Sequence, residues 1–75
     1  MIESTAARVV RVSVNGKPRE VAAATTLDVL VASLTAAPSG VAAAVNETVV
    51  PRGSWQDTPL GDGDRVEVLT AVQGG

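Results

Sequence analysis

Cysteine, histidine, tyrosine and phenylalanine are all absent from this chain of 75 residues, and tryptophan occurs once. Without cysteine there is neither a disulfide framework nor a thiolate nucleophile. Without cysteine and histidine we expect no metal site of the zinc type, because zinc prefers these ligands. The lack of histidine also excludes imidazole acid–base chemistry near neutral pH. An enzyme of this composition would have to use carboxylates, hydroxyls or its chain ends.

Charge of one sign is also scarce. Six Lys and Arg against eight Asp and Glu give a formal net charge of −2. Binding of nucleic acid needs a basic face, with aromatic side chains where bases stack, so we expect no nucleic-acid partner. No apolar run approaches the roughly 20 residues of a membrane helix, and the first residues lack the parts of a signal peptide. The sequence therefore predicts a cytoplasmic protein with no membrane segment.

The apolar residues that are present, 45% of the chain, follow two different periods. Alternation with period two predicts strands, which we place at residues 8–14, 17–23, 41–45, 48–50 and 65–72. Asn15-Gly16 is typical of a type I′ hairpin turn, and Asn46-Glu47 is a weaker turn signal.

One amphipathic helix of about ten residues is predicted between the second and third strands. Its apolar stripe recurs at i, i+3, i+4 and i+7 and consists of Leu27, Leu30, Val31 and Leu34. Thr25 and Thr26 are both candidates for its N-cap. Residues 53–61 are predicted to be irregular, with Trp55 and Leu60 inserted into the core.

The order β-β-α-β-β-β predicts an α+β fold, a mixed four- to five-stranded sheet with one helix packed across one face. Its natural closure is a ubiquitin-like β-grasp, in which the first and last strands lie parallel at the centre. We divide the chain into a flexible N-terminal extension (1–7), the β-grasp domain (8–72) and a flexible C-terminal arm (73–75).

The most informative residues are the last two, Gly74 and Gly75. A terminal Gly75 offers an α-carboxylate on a thin arm, because glycine has no Cβ to block close approach. Such an arm can enter the narrow active site of another enzyme, where ATP activates the carboxylate. The alternative is a frayed or artificial tail. A strand that runs directly into the arm favours the functional interpretation.

The last strand also predicts a docking surface beside the arm. We expect Val66, Val68 and Thr70 to face the helix. The residues between and after them then face outward, namely Glu67, Leu69 and Ala71. An outward Leu69 would form an apolar patch for a partner, whereas burial of Leu69 by local twist is the alternative.

Several short motifs, taken in order, resemble the thiamine-biosynthesis sulfur carrier family, ThiS. They are Val45-Asn46, Val49-Val50-Pro51-Arg52, Trp55, Asp62-Gly63-Asp64, Val66-Glu67-Val68 and the final Ala71-Val72-Gln73-Gly74-Gly75. No single motif is specific, but the combination is, and the resemblance covers residues 8–75. Two departures are visible: residues 1–7 exceed the usual short start, and Leu69 stands where a larger aromatic residue is common.

The resemblance implies a carrier protein that is not itself an enzyme. An E1-like adenylating enzyme (ThiF type) would activate Gly75 with ATP and magnesium, and a sulfur-transfer enzyme would convert the adenylate into a thiocarboxylate. A thiazole synthase (ThiG type) would then receive the sulfur. Gly74 belongs to the threading arm. The remaining residues near the arm are the partner-binding positions, namely Leu69, Ala71, Val72 and Gln73. The carrier is expected to bind no cofactor and to be monomeric when free.

Three alternatives stay open. One is the small, sulfur-carrying subunit of molybdopterin synthase, which belongs to the same fold class and also ends in Gly-Gly. A ubiquitin-like modifier of protein lysines and a plain interaction module without tail chemistry are the other two. The stretch from Val49 through Trp55 favours the ThiS interpretation.

Overall fold

A computed structural model of the chain describes residues 8–36 and 40–70. The elements in these ranges are β1 (Val9–Val14), β2 (Lys17–Ala22), α1 (Leu27–Leu34), β3 (Val41–Val45), β4 (Thr48–Val50), a 3-10 helix (Arg52–Asp57) and β5 (Arg65–Thr70). Their order confirms the predicted β-β-α-β-β-β succession. The predicted extension 1–7, the arm 73–75 and the last two residues of the predicted final strand lie outside the described residues.

The strands form one mixed sheet in the order β2-β1-β5-β3-β4. β1 and β5 are parallel neighbours at the centre, and the other three pairings are antiparallel. This is the β-grasp arrangement that the sequence predicts. Pro18 lies in the edge strand β2 opposite Ser13, whose own N–H is directed to the other side, toward Asp64 O. The missing N–H of Pro18 therefore breaks no ladder hydrogen bond.

The core lies between α1 and one face of the sheet. It consists of Val12, Val14, Leu27, Leu30, Val31, Ala43, Trp55, Leu60, Val66 and Val68. Alternate residues of β1 and β5 supply four of these side chains, as the period of two predicts. Leu34, the last member of the predicted apolar stripe, is exposed at the end of the helix.

The helix is shorter than predicted, with eight residues instead of about ten. Thr26 occupies the N-cap position, but its hydroxyl bonds the Asp28 carboxylate and caps no main-chain N–H. Asp28 lies in the first turn, where a negative charge is favourable to the helix dipole. At the other end Thr35 is extended, with a φ of −151°, and the helix stops there.

Part of the segment predicted to be irregular forms the 3-10 helix. This helix inserts Trp55 into the core, where only 5% of the residue is exposed. The indole N–H donates to Val50 O at 2.8 Å, and the Arg52 guanidinium lies 5.2 Å above the ring. Leu60 is also buried, which confirms both predicted insertions. Across residues 8–36 and 40–70, no helix has the length and apolarity needed to cross a membrane.

Candidate functional site

The outer face of β5 carries an exposed leucine, as the alternation predicts. Val66 and Val68 are buried beneath the helix. Leu69, whose side chain alternates with theirs, is 70% exposed. Thr70, predicted to face the same way as Val66 and Val68, is exposed at the end of the strand and lies past the last β1 residue that pairs with β5. Period two therefore gives the direction of these side chains correctly but not how far the core extends along the strand.

Leu69 belongs to a group of apolar side chains that we call the outer patch. Its members lie on β3, β4 and β5 and are Ala42, Ala44, Val49 and Leu69. Cross-strand pairing places Leu69 opposite Ala42, and Val49 opposite Ala44. The alanines are too short to cover the sheet, so a shallow cleft lies between Leu69 and Val49, which is 72% exposed.

Carboxylates stand at the rim of the outer patch. Glu47 and Glu67 both line the cleft. The Glu47 carboxylate lies 3.5 Å from the Arg65 guanidinium, and both side chains are exposed. An exposed ion pair of this kind contributes little to stability. The patch is therefore an apolar surface with acidic neighbours on the face of the sheet opposite the helix.

Asn15 holds the C-terminal half of β5, a contact that the Asn-Gly turn signal does not predict. Its main-chain N–H donates to Val66 O at 2.9 Å. Its side-chain Nδ2 donates to Val68 O at 3.2 Å, and Val68 N–H donates to Asn15 Oδ1 at 2.9 Å. We call these two side-chain hydrogen bonds the Asn15 brace. The dipeptide Asn-Gly by itself indicates only a turn. The asparagine side chain nevertheless offers both a hydrogen-bond donor and an acceptor.

Asn46 holds the start of β5 from the opposite side. Its main-chain N–H donates to Arg65 O at 2.7 Å, and Arg65 N–H donates to Asn46 Oδ1 at 2.9 Å. Its Nδ2 donates to Asp64 Oδ1 at 3.0 Å. Asn46 and Glu47 both have positive φ angles, 51° and 72°, which confirms the turn that the sequence predicts.

The segment Asp62-Gly63-Asp64 is a turn whose carboxylates bind main-chain amides. Asp62 Oδ1 accepts from Arg11 N–H at 2.7 Å, and Asp64 Oδ2 accepts from Gly61 N–H at 2.8 Å. The first contact joins the turn to β1, and the second closes the loop on itself directly before β5 begins. No group of three or more potential metal ligands occurs within the described ranges.

Most of the predicted site falls outside the described residues. Ala71, Val72, Gln73, Gly74 and Gly75 all lie beyond Thr70, the last residue described. Their roles therefore stay predictions, and Leu69 is the predicted site residue that the structure places.

Comparison with known proteins agrees with this architecture. The sequence model of the ThiS family matches residues 12–75. A crystal structure of a thiamine biosynthesis protein, ThiS, from Geobacter metallireducens is 33% identical, with a TM-score of 0.72, and the match covers 88% of this chain and 100% of that one. A thiazole synthase from Magnetococcus marinus is 37% identical over 65 residues, 87% of this chain and 20% of the relative.

The two matches cover very different shares of the proteins that they match. The chain spans about a fifth of the length of the thiazole synthase that it matches, but the whole of the Geobacter structure. The TM-score of 0.72 shows that this chain, with its five-stranded sheet and one helix, shares the fold of the Geobacter protein, which confirms the ubiquitin-like β-grasp fold. Because the family match extends over most of the sequence and its fold agrees, the chain belongs to the ThiS family, the sulfur carriers of thiamine biosynthesis.

Proposed function

We propose that this chain carries sulfur for thiazole formation as a thiocarboxylate on Gly75. The observation that supports this most strongly is the family match, which runs through Gly75 itself. Only a few residues separate Gly74 and Gly75 from the end of β5. A protein whose reactive group is its own carboxylate needs neither cysteine nor histidine, and this chain has none. The chain is then a carrier on which partner enzymes act.

Two chemical steps load the carrier. In the active site of a ThiF-type, E1-like enzyme, the Gly75 carboxylate attacks the α-phosphorus of ATP with magnesium present, and pyrophosphate leaves. Sulfide that the sulfur-transfer enzyme delivers then attacks the acyl carbon, the acyl–phosphate bond breaks with departure of AMP, and the thiocarboxylate stays on Gly75. All ATP and magnesium chemistry takes place in the partner, and the carrier contributes the carboxylate and its access.

The surface beside the arm serves docking in this proposal. Leu69 exposes most of its side chain on the outer patch, and desolvation of such a side chain stabilises a complex. The residues between Leu69 and the glycines, Ala71 to Gln73, then contact the same partner. Gly74 and Gly75 need no space for a Cβ and pass into the narrow part of the active site.

The thiazole synthase relative supports a ThiG-type acceptor. A segment similar to this chain forms about a fifth of that protein, so carrier-like and synthase sequences occur together in one polypeptide. This favours thiazole formation over the role in molybdopterin synthesis. Loss of the gene is therefore expected to create a requirement for thiazole and to leave molybdenum-cofactor enzymes active. The opposite phenotype would support the molybdopterin alternative.

Mass spectrometry of the C-terminus tests the proposal directly. The protein is purified from cells that make its partners, and its C-terminal peptide is fragmented. We expect sulfur in place of one oxygen on Gly75, and none in cells that lack the ThiF-type enzyme. Fragmentation is required because oxidation of Met1 or Trp55 changes the intact mass by nearly the same amount. An unmodified carboxylate in every such sample refutes the thiocarboxylate, and isopeptide-linked Gly75 indicates a protein modifier.

Arm length supplies a second test. Addition of one residue after Gly75, or its deletion, is expected to abolish adenylation because the carboxylate no longer reaches the phosphorus of ATP. Thermal unfolding is expected to stay unchanged, since the core among the described residues is built from residues 12–68. Full adenylation of the lengthened chain would contradict the threading of Gly75.

A further inference from the structure

The last residues of β5 have a neighbouring strand on one side only. Toward β3 the pairing continues to Val41 opposite Thr70. Toward β1 it ends at Val14 opposite Val66, because Asn15 turns the chain back with a φ of 52°. Main-chain groups alternate in direction along a strand, so the N–H and C=O of Val68 are directed to the side from which β1 has departed.

The Asn15 side chain occupies the place of the missing strand. A carboxamide carries the same donor and acceptor as a peptide group. Its two hydrogen bonds to Val68, at 2.9 and 3.2 Å, lie within or at the limit of ordinary N–H···O distances. β5 is thus paired for one more position beyond the end of β1, by a side chain instead of a main chain.

The Asn15 brace lies close to the end of β5, next to the residues that lead to the terminal glycine. Val68 lies two residues before Thr70, the last residue of β5, to which residues 71–75 are joined. The orientation of a chain that leaves a sheet is set by the last residues that hydrogen bonds hold, since strand ends without partners fray. With the brace, the end of β5 is held from both sides. Without it, β3 alone holds the strand.

We propose that Asn15 is a positioning residue for the terminal glycine. Its carboxamide keeps the end of β5 in the plane of the sheet and so holds the strand to which the terminal residues are joined when Gly75 enters a partner's active site. The part that concerns activation rests on the proposed function. A chain whose end is ordered in advance loses less conformational entropy on entering the partner. Asn15 therefore acts on the apparent binding of the carrier and not on the chemical step.

Asn46 provides a matched control, because it also holds β5 but at the other end of that strand. It is also the first residue of a hairpin turn, has nearly the same φ of 51°, and binds β5 through its side chain. Its contact is at Arg65, the first residue of β5, far from the arm. Asn15→Gly and Asn46→Gly each keep a residue that tolerates positive φ and remove one carboxamide. Any difference between the two variants then reports on which end of β5 is held.

Amide hydrogen exchange tests the brace without any partner. In Asn15→Gly, exchange of the Val68 N–H is expected to accelerate about tenfold relative to that of Ala43 in the core, because the lost bonds free this amide. Asn15→Asp keeps the acceptor for Val68 N–H but loses the Nδ2 donor, so a smaller acceleration is expected. Asn46→Gly is expected to leave Val68 unchanged. Unchanged exchange in Asn15→Gly would overturn the inference.

Activation by a ThiF-type enzyme tests the consequence. Pyrophosphate release is measured against carrier concentration at a temperature where thermal unfolding shows every variant folded. Asn15→Gly is expected to raise KM about fivefold with kcat within about twofold of the parent, consistent with a loss of order before binding. Asn15→Asp should lie between the two, and Asn46→Gly close to the parent.

Two results would overturn the positioning role. One is an equal rise in KM for Asn15→Gly and Asn46→Gly, which would indicate a general loss of stability. The other is a fall confined to kcat. If the unaltered chain is not adenylated at all, the proposed function fails, and the exchange of Val68 still decides whether Asn15 holds the end of β5.

Discussion

The two hairpin turns of this protein, Asn15-Gly16 and Asn46-Glu47, solve the same problem with different residues. Both begin with asparagine at a φ near 50°, and both need positive φ at the second residue, 84° for Gly16 and 72° for Glu47. Glycine adopts this conformation freely, whereas for glutamate it is strained by about 1–2 kcal/mol. Glu47 thus holds a conformation for which its side chain is poorly suited.

The comparison also shows that the first residue of each turn does more than reverse the chain. Each asparagine reaches β5, Asn15 at Val68 and Asn46 at Arg65. The contacts with Val68 are partly buried, and those with Asp64 and Arg65 are exposed. Water replaces partly buried hydrogen bonds less completely than exposed ones, so we expect loss of the Asn15 contacts to cost more free energy than loss of the Asn46 contacts.

Replacement of the asparagines by alanine should give the largest effects. Asn15→Ala is expected to lower the free energy of unfolding by about 2–3 kcal/mol, since it loses the brace and strains a positive φ. Asn46→Ala should lower it by about 1–2 kcal/mol, because water can replace its exposed contacts. Chemical denaturation measures both values. Equal losses would show that burial of the Val68 contacts adds nothing.

Replacement of Gly16 by glutamate, the residue at the same position of the second turn, should lower the free energy of unfolding by an intermediate amount. Gly16→Glu places a side chain at a φ of 84°, where nothing lies within 4 Å of an added Cβ. The expected loss of about 1 kcal/mol therefore comes from the backbone alone. Gly53→Ala, at a glycine with equally open surroundings and no positive φ, is the control and should be nearly neutral. A loss of the same size at Gly53 would contradict the backbone explanation.

The reverse transfer should stabilise the protein. Glu47→Gly relieves about 1–2 kcal/mol of strain, and the greater conformational freedom that glycine loses on folding reduces this to a net gain of about 0.5–1 kcal/mol. It also removes the exposed ion pair with Arg65, whose contribution is about 0–1 kcal/mol. Thermal unfolding should therefore show a small rise in Tm. A fall in Tm would mean that the ion pair outweighs the strain. Arg65→Gln, which removes the pair and keeps Glu47, measures its part separately.

A substitution at the Asn15 end of β5 should have the smallest effect on stability. Leu69→Ser exposes a smaller side chain at a position already 70% exposed, so the free energy of unfolding should change by less than about 0.5 kcal/mol. Affinity for the activating enzyme should fall, as docking through the outer patch requires. Thr48→Ala, at an exposed residue outside the patch, is the control. Unaltered affinity in Leu69→Ser would exclude Leu69 from the interface.

The sequence predicts those parts of the fold that depend on local patterns of residues. Alternating valines place the strands because side-chain direction has a period of two, and Asn15-Gly16 defines its turn through φ alone. The 3-10 helix at Arg52–Asp57 was not predicted, since so short an element has no period to detect. The helix begins and ends with its apolar stripe, at Leu27 and Leu34, but Leu34 is exposed, so the period alone does not show where the core ends.

The candidate site also has one part that local patterns predict and another that they do not. The outward direction of Leu69 follows from alternation along a single strand. The Asn15 brace does not follow from any local pattern, because Val68 lies 53 positions away along the chain. Only the parallel pairing of β1 with β5 brings them together. The roles of Gly74 and Gly75 rest on the family and on chemistry, so they stay predictions.

Trp55 gives this protein an optical property of its own. As the single tryptophan, it is the sole strong near-ultraviolet chromophore and emitter of the chain. Its indole lies in the core, with its N–H bound to Val50 O, whereas the outer patch lies on the opposite face of the sheet. Intrinsic fluorescence therefore reports unfolding from one known position without a label. Docking of a partner on the outer patch leaves that position covered, so binding and unfolding can be followed as separate signals.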